Sequence, residues 1–175
     1  MALLSMVVGV GILDGWRFCP RCGTEGTIRA SSFACPSCDY VAWANSVPGV
    51  HALIERDGRI LLGRRAFDPA AGCWGLPGGF LDEGEEPLVG LRREVREETG
   101  LEVEPGELFG MWMQPHAERT VLCILWLATV LGGVQAAADD IVELGWFAPD
   151  ELPEDIGPSA FMEAVSLWRG RHEHA

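Results

Sequence analysis

Cations are scarce in this chain: 13 Lys and Arg stand against 26 Asp and Glu, a formal net charge of −13. The longest basic clusters are only the pairs Arg64-Arg65 and Arg92-Arg93. So acidic a chain repels nucleic-acid phosphates and anionic membrane surfaces, which argues against sequence-independent nucleic-acid binding and against a membrane partner. Long hydrophobic runs are missing too. The apolar start, Met1 to Leu13, falls short of the ~20 residues a bilayer-spanning helix needs. It also lacks a basic n-region and an Ala-x-Ala cleavage site before Asp14, so residues 1–15 are expected to form an N-terminal extension, an extra strand or a loose start, in a cytoplasmic protein. Repeats and low-complexity tracts are absent, and tyrosine occurs once, at Tyr40.

Cysteine is present in a pattern. Of six cysteines, four fall as Cys19-Pro20-Arg21-Cys22 and Cys35-Pro36-Ser37-Cys38, two C-x-x-C pairs twelve residues apart. Each pair presents two thiolates at one turn, and four soft sulfurs close a tetrahedron around a structural Zn²⁺. Residues 16–45 are therefore expected to be a small zinc ribbon, with short strands at Thr27-Ile28-Arg29 and Phe33-Ala34. So short a segment buries too little to fold on its own core, so the metal must supply most of its folding free energy. Cys73 and Cys123 stand outside this set, and Cys123, in the run VLCILWLATV, reads as a buried small hydrophobe.

After the hinge Asn45 to Gly49 the pattern changes. Val50 to Glu55 and Arg59 to Arg64 are β-rich and joined across Asp57-Gly58, a hairpin signal. Residues 66–79 hold enough Gly and Pro to be a turn-rich loop. Pro87 suits a first helical turn, Leu88, Leu91 and Val95 give an apolar stripe, and Gly100 is a natural helix stop. On that helix Glu94, Glu97 and Glu98 lie three and four positions apart, within about 5–6 Å at Cβ, where like charges destabilise. A divalent cation such as Mg²⁺ or Mn²⁺ is the natural partner for carboxylates concentrated in this way. Leu108 to Met113, Thr120 to Leu131 and Ile141 to Phe147 read as strands, and Ser159 to Trp168 as a last helix. Mixed in this order, they imply an α/β fold with a sheet between helices.

The segment from Gly79 to Leu101 resembles a Nudix box, G-x5-E-x7-R-E-U-x-E-E-x-G-U with U aliphatic. All fixed positions are filled: Gly79, Glu85, Arg93, Glu94, Val95, Glu97, Glu98, Gly100 and Leu101. The lead-in Trp74 to Gly78 and the trailing Trp146 to Pro153 are also similar to Nudix flanks. The resemblance covers about residues 47–170. It implies an α/β/α sandwich with a mixed sheet, hydrolysing nucleoside diphosphates linked to another moiety. It further implies Mg²⁺ or Mn²⁺ held by Glu94, Glu97 and Glu98 with the Gly78 carbonyl, a proton acceptor in Glu97 or Glu98 or on a later loop, and an Arg93–Glu85 brace. Glu143 is a candidate extra metal ligand; Asp139 and Asp140 read equally as a solvated turn.

A zinc ribbon ahead of such a domain is similar to the NADH pyrophosphatases and to a related group acting on ADP-ribose or FAD. The NADH motif S-Q-P-W-P-F-P-x-S is reduced here to Gln114-Pro115, and Pro115 lies where ADP-ribose enzymes tend to place a proline. The expected substrate is thus a small-molecule nucleotide, ADP-ribose or FAD ahead of NADH. The alternative class is a nucleotide-sensing regulator, against which the complete box argues. Arg65 is a candidate phosphate ligand, with Arg64 pointing oppositely, and Trp112 and Phe80 are candidate stacking platforms. His116 reads as a loop bystander, and His172 and His174 as parts of a frayed tail. The ribbon leaves room for a homodimer.

Overall fold

A computed structural model describes residues 11–117 and 119–172. The expected extra strand within residues 1–10 and the tail position His174 lie outside the described residues. The chain divides into two compact units, one ending at Ser46 and taking in Ala117–Thr120, the other running over Val47–His116 and from Val121 onward.

In the first unit a three-stranded antiparallel sheet is ordered β1 (Thr27–Arg29), β2 (Ser32–Ala34), β3 (Val41–Trp43). Its small core holds Leu13, Cys19, Phe33 and Cys35, ringed by Trp16, Ile28 and Tyr40. Gly26 lies against the Phe33 ring, where an added Cβ would fall 2.3 Å from the ring edge. That close approach requires glycine.

The second unit is a mixed sheet with a helix on each face. Its strands are β4 (Val47–Arg56), β5 (Arg59–Arg65), β6 (Trp74–Gly75), β7 (Gly78–Phe80), β8 (Leu101–His116), β9 (Arg119–Gly133) and β10 (Ile141–Phe147), and its helices α1 (Pro87–Thr99) and α2 (Ser159–His172). The main order is β10-β5-β4-β9-β8, with β4 and β9 parallel. The β4–β5 hairpin turns at Asp57 and Gly58, both at positive φ, as the Asp-Gly pair predicts. Alternation along β4 divides the core: Val50, Ala52 and Ile54 pack with Leu91 and Val95 of α1, whereas Leu53 packs with Phe161, Val165 and Trp168 of α2. Strands β8 and β9 run longer than their apolar stretches suggest, continuing through polar and glycine positions such as Glu104 and Gly132.

Helix α1 starts and stops as its sequence dictates. Glu86 caps it by accepting from the N–H groups of Leu88 and Val89, Pro87 is its first residue, and Gly100 ends it in the left-handed region at φ 70°. Helix α2 runs past Trp168 to His172, whose ring accompanies Trp168 and lies 3.3 Å from a Glu55 carboxylate oxygen. The tail reading of His172 is corrected: this anchorage on β4 extends the helix by a turn.

Candidate active site

Strands β4 and β5 pair only near their hairpin, Glu55 with Ile60 and Arg56 with Arg59. Further on, β5 pairs with β6 and β4 with β7, and the sheet opens. A cavity of about 450 Å³ lies at this opening, with Glu94, Glu98, Asp139 and Asp140 on its wall alongside Arg65, His51, Phe80 and Phe161. That volume falls in the ordinary range for small-molecule sites.

Glycines bring α1 up against β7. An added Cβ on Gly79 would sit 2.4 Å from a Glu94 carboxylate oxygen, and one on Gly90 would sit 2.4 Å from Leu81 and 2.8 Å from Glu85. Gly78 has φ 136°, and a Cβ there would strike the Val50 carbonyl at 2.1 Å. Its N–H donates to Glu98 Oε2 at 2.7 Å, so the strand fixes the carboxylate directly.

The three helix glutamates take separate places. Glu98 is buried, and burial first, then the Asp140 carboxyl, push its pKa up to about 9. Glu94 is also raised, chiefly by desolvation, against the pull of Arg93. Glu97 is half exposed, does not line the cavity, and accepts from Arg93 at 3.1 Å. Arg93 organises this flank: it makes a bidentate pair with Glu85 at 2.8 and 2.7 Å, donates to Glu94 at 2.7 Å, and reaches the Phe80 carbonyl at 3.2 Å. Glu85 also accepts from the Asp82 N–H, and the Arg93 hydrogen bond first, with that N–H, lowers its pKa to about 2.

Other expected site residues divide sharply. Arg65 lines the cavity, its Nε donating to the Pro69 carbonyl at 3.1 Å and its guanidinium lying 3.8 Å from Asp140. Arg64 points oppositely, to Glu143, Asp155 and the Gly72 carbonyl. Two readings are corrected here. Glu143 does not line the cavity but is ion-paired with Arg64 at 2.9 Å, since the alternation of β10 against β5 turns it to the Arg64 side. Trp112 is absent from the cavity wall; its ring stacks on Phe109 at 6.2 Å and folds over Gly110, where only glycine leaves room. Phe80 does line the cavity, 40% exposed, with its edge against His116 at 5.6 Å. His116 thus lines the cavity beside Phe80.

Sequence reasoning gave no place at the cavity to His51, Phe67 or Gln114, which line it. His51 is buried on β4 against Phe161, and burial first, then the Arg65 charge, press its pKa down to about 3. Gln114 Oε1 accepts from Ser159 Oγ and from the Ala160 N–H, capping α2. The signal for His51 was its place in the β4 alternation, and for Gln114 the Ser159 start of the last helix.

Carboxylate oxygens are the donors that hard divalent cations take. Hard oxygens from Glu94, Glu98 and Asp140 face one cavity, and the buried Oδ1 of Asp140 has no hydrogen-bond partner. In the ribbon the sulfurs of Cys19 and Cys38, and of Cys22 and Cys35, lie 3.6 Å apart, and backbone N–H groups of Arg21 and Ser37 point at Cys19 and Cys35 sulfur at 3.4 Å. All four sulfurs fall within 4.8 Å of one another, the one such donor group among the described residues. The geometry matches a tetrahedral thiolate site.

The profile of the NUDIX domain matches residues 45–165, more than half of the chain. The chain belongs to the Nudix family. It is a Nudix hydrolase, and the family uses divalent metal ions. An ADP-ribose pyrophosphatase of Methanocaldococcus jannaschii is 35% identical over 117 residues, covering 66% of this chain and 69% of that protein. A mitochondrial NAD(P)H pyrophosphatase of Mus musculus is 32% identical over 146 residues, covering 79% of this chain but only 40% of its own length. Among solved structures, a NUDIX hydrolase of Nitrosomonas europaea superposes with TM-score 0.80 at 27% identity, over 91% of this chain and 94% of that one. Among the described residues no helix is long and apolar enough to cross a membrane.

Proposed function

We propose that this Nudix hydrolase cleaves the diphosphate of ADP-ribose or a related ADP-linked dinucleotide such as FAD, releasing AMP. The observation that carries this reading is the pairing, in one cavity, of a carboxylate wall with Arg65 and an aromatic rim. A diphosphate carries several negative charges, so it can lie against carboxylates only through cations. The relative named for ADP-ribose hydrolysis supports the substrate, since it aligns with about two thirds of both chains.

In this reading Glu94 and Glu98, with Asp140, hold Mg²⁺ or Mn²⁺, and the four ribbon cysteines hold Zn²⁺. The bound divalent ion supplies charge neutralisation at the phosphates and a water acidic enough to act as nucleophile near neutral pH. Gly78 aims Glu98 at the cavity through its N–H. With the cation site filled, Glu98 would be ionised and placed by the Gly78 N–H to accept the proton of the attacking water. Glu97 remains on Arg93 and, with Glu85, keeps α1 seated on β7. Arg65, braced by the Pro69 carbonyl and beside Asp140, offers its guanidinium to a phosphate oxygen.

The test incubates ADP-ribose, FAD and NADH separately with Mg²⁺ and Mn²⁺ and scores AMP release. ADP-ribose is expected to give the highest kcat/KM. A tenfold preference for NADH would move the assignment to the NADH pyrophosphatases, and no AMP from any of the three would refute it.

A further inference from the structure

Phe67 sits on the loop that follows β5, lines the cavity, and is 65% exposed. A lone exposed ring is ordinary on a protein surface, but this one lines the carboxylate cavity instead of open surface. The loop beneath it is well tied. The Ala66 N–H donates to the Asp140 carbonyl at 2.7 Å and the Gly72 N–H to the Arg65 carbonyl at 2.9 Å. Arg65 Nε in turn donates to the Pro69 carbonyl at 3.1 Å. These bonds flank Phe67 on both sides and connect its loop to two residues of the cavity wall.

A second exposed ring shares the cavity. Phe80 ends β7, only one residue beyond Gly79, and His116 braces one edge of it at 5.6 Å. Two partly exposed aromatic rings on separately anchored segments, beside a wall of phosphate-cation ligands, fit a substrate with a flat heteroaromatic ring next to its phosphates. Stacking on such rings is indifferent to exact hydrogen-bond pattern and suits any purine.

We propose that Phe67, together with Phe80, holds the nucleobase of the substrate, making Phe67 a binding residue for the base of the AMP half. This rests on the reading of the cavity as an adenine-nucleotide diphosphate site. It adds a contact that the box itself does not contain.

The test titrates the full chain in Mg²⁺ with AMP and with ribose 5-phosphate, which differ only in the base, and follows binding by calorimetry. Wild type should bind AMP more tightly. Phe67→Ala should raise the Kd for AMP by about tenfold and leave that for ribose 5-phosphate unchanged, with Phe67→Tyr restoring AMP binding. Unchanged AMP affinity in Phe67→Ala overturns the proposal, as does equal weakening of both ligands, which would make Phe67 a shaper of the loop. Equal affinity of wild type for AMP and ribose 5-phosphate, with ADP-ribose still hydrolysed, overturns the base contact and leaves the hydrolase assignment standing. Phe67-dependent AMP binding without ADP-ribose turnover does the reverse.

Discussion

The ribbon and the carboxylate cavity both carry residues with metal-donor chemistry, but among the described residues only the ribbon's donor atoms converge. In the ribbon two short turns deliver four sulfurs within 4.8 Å of each other, and the set comes from twenty consecutive residues, Cys19 to Cys38. Neutral thiols approach one another at little electrostatic cost, so the geometry is local. Carboxylates cannot do this, since each repels the next. The cavity takes its carboxylates from α1 and from the turn before β10, with Gly78 of β7 bonded to Glu98 and Arg93 bonded to Glu94. The first arrangement is written in spacing, the second in tertiary contacts.

The comparison breaks most visibly in the ribbon. Cys19→Ser removes one of four ligands from a unit whose buried core is Leu13, Phe33 and two of the cysteines. Structural zinc supplies on the order of 10 kcal/mol or more to such segments, so most of their fold should go with it. Metal analysis should show the bound ion lost, proteolysis should open residues within 16–45, and kcat for nucleotide cleavage should stay within about threefold. One ion per chain retained in the variant would overturn the ribbon site.

Glu98→Gln should act in reverse, harming chemistry while helping the fold. Loss of a general base costs about 10²–10⁴ in kcat, so turnover should fall to that extent. The sign on stability follows from the carboxyl's raised pKa. With ions removed by EDTA, the folded state keeps a proton up to about pH 9 that an unfolded carboxyl gives up near 4.5. Stability therefore falls as pH rises between those values, by up to about 1.4 kcal/mol per unit. Glutamine removes that penalty. At pH 8 in EDTA the variant should be more stable than wild type by on the order of 2–4 kcal/mol, with the gap closing toward pH 5. A calorimetric Tm series from pH 5 to 9 reads this, and a variant with the wild-type pH slope would show that Glu98 does not hold the proton.

How much could be read in advance follows the same division. The cysteine knuckles, the hairpin at Asp57-Gly58, and α1 from Pro87 to Gly100 are set by neighbours in sequence, and spacing alone locates them. Alternation already distinguished Arg65 from Arg64, because adjacent strand residues face opposite sides. Glu143 was not legible, since its side depends on the register of β10 against β5, including the irregularity between Ile141 and Glu143. Trp112 failed for a related reason: an aromatic in a long strand is equally apt for cavity or core, and Gly110 and Phe109 decide for packing. His51 was invisible as a cavity residue because its neighbour across the opening, Phe161, is more than a hundred residues away.

The smallest effect sharpens the boundary of the site. Glu143 and Arg64 are an ion pair at 2.9 Å whose side chains are 58% and 33% exposed. Pairs so open to water contribute about 0–1 kcal/mol, and Arg64 keeps Asp155 and the Gly72 carbonyl when Glu143 is neutralised. Glu143→Gln should therefore shift stability by less than about 1 kcal/mol and leave kcat and its metal dependence within about twofold. A ligand of the catalytic ion could not be removed so cheaply, because its loss should raise the Mg²⁺ concentration needed for half-maximal rate by about tenfold or more. A rise of that size in Glu143→Gln would mean that β10 shifts its register when substrate binds and brings this carboxylate into the cavity after all.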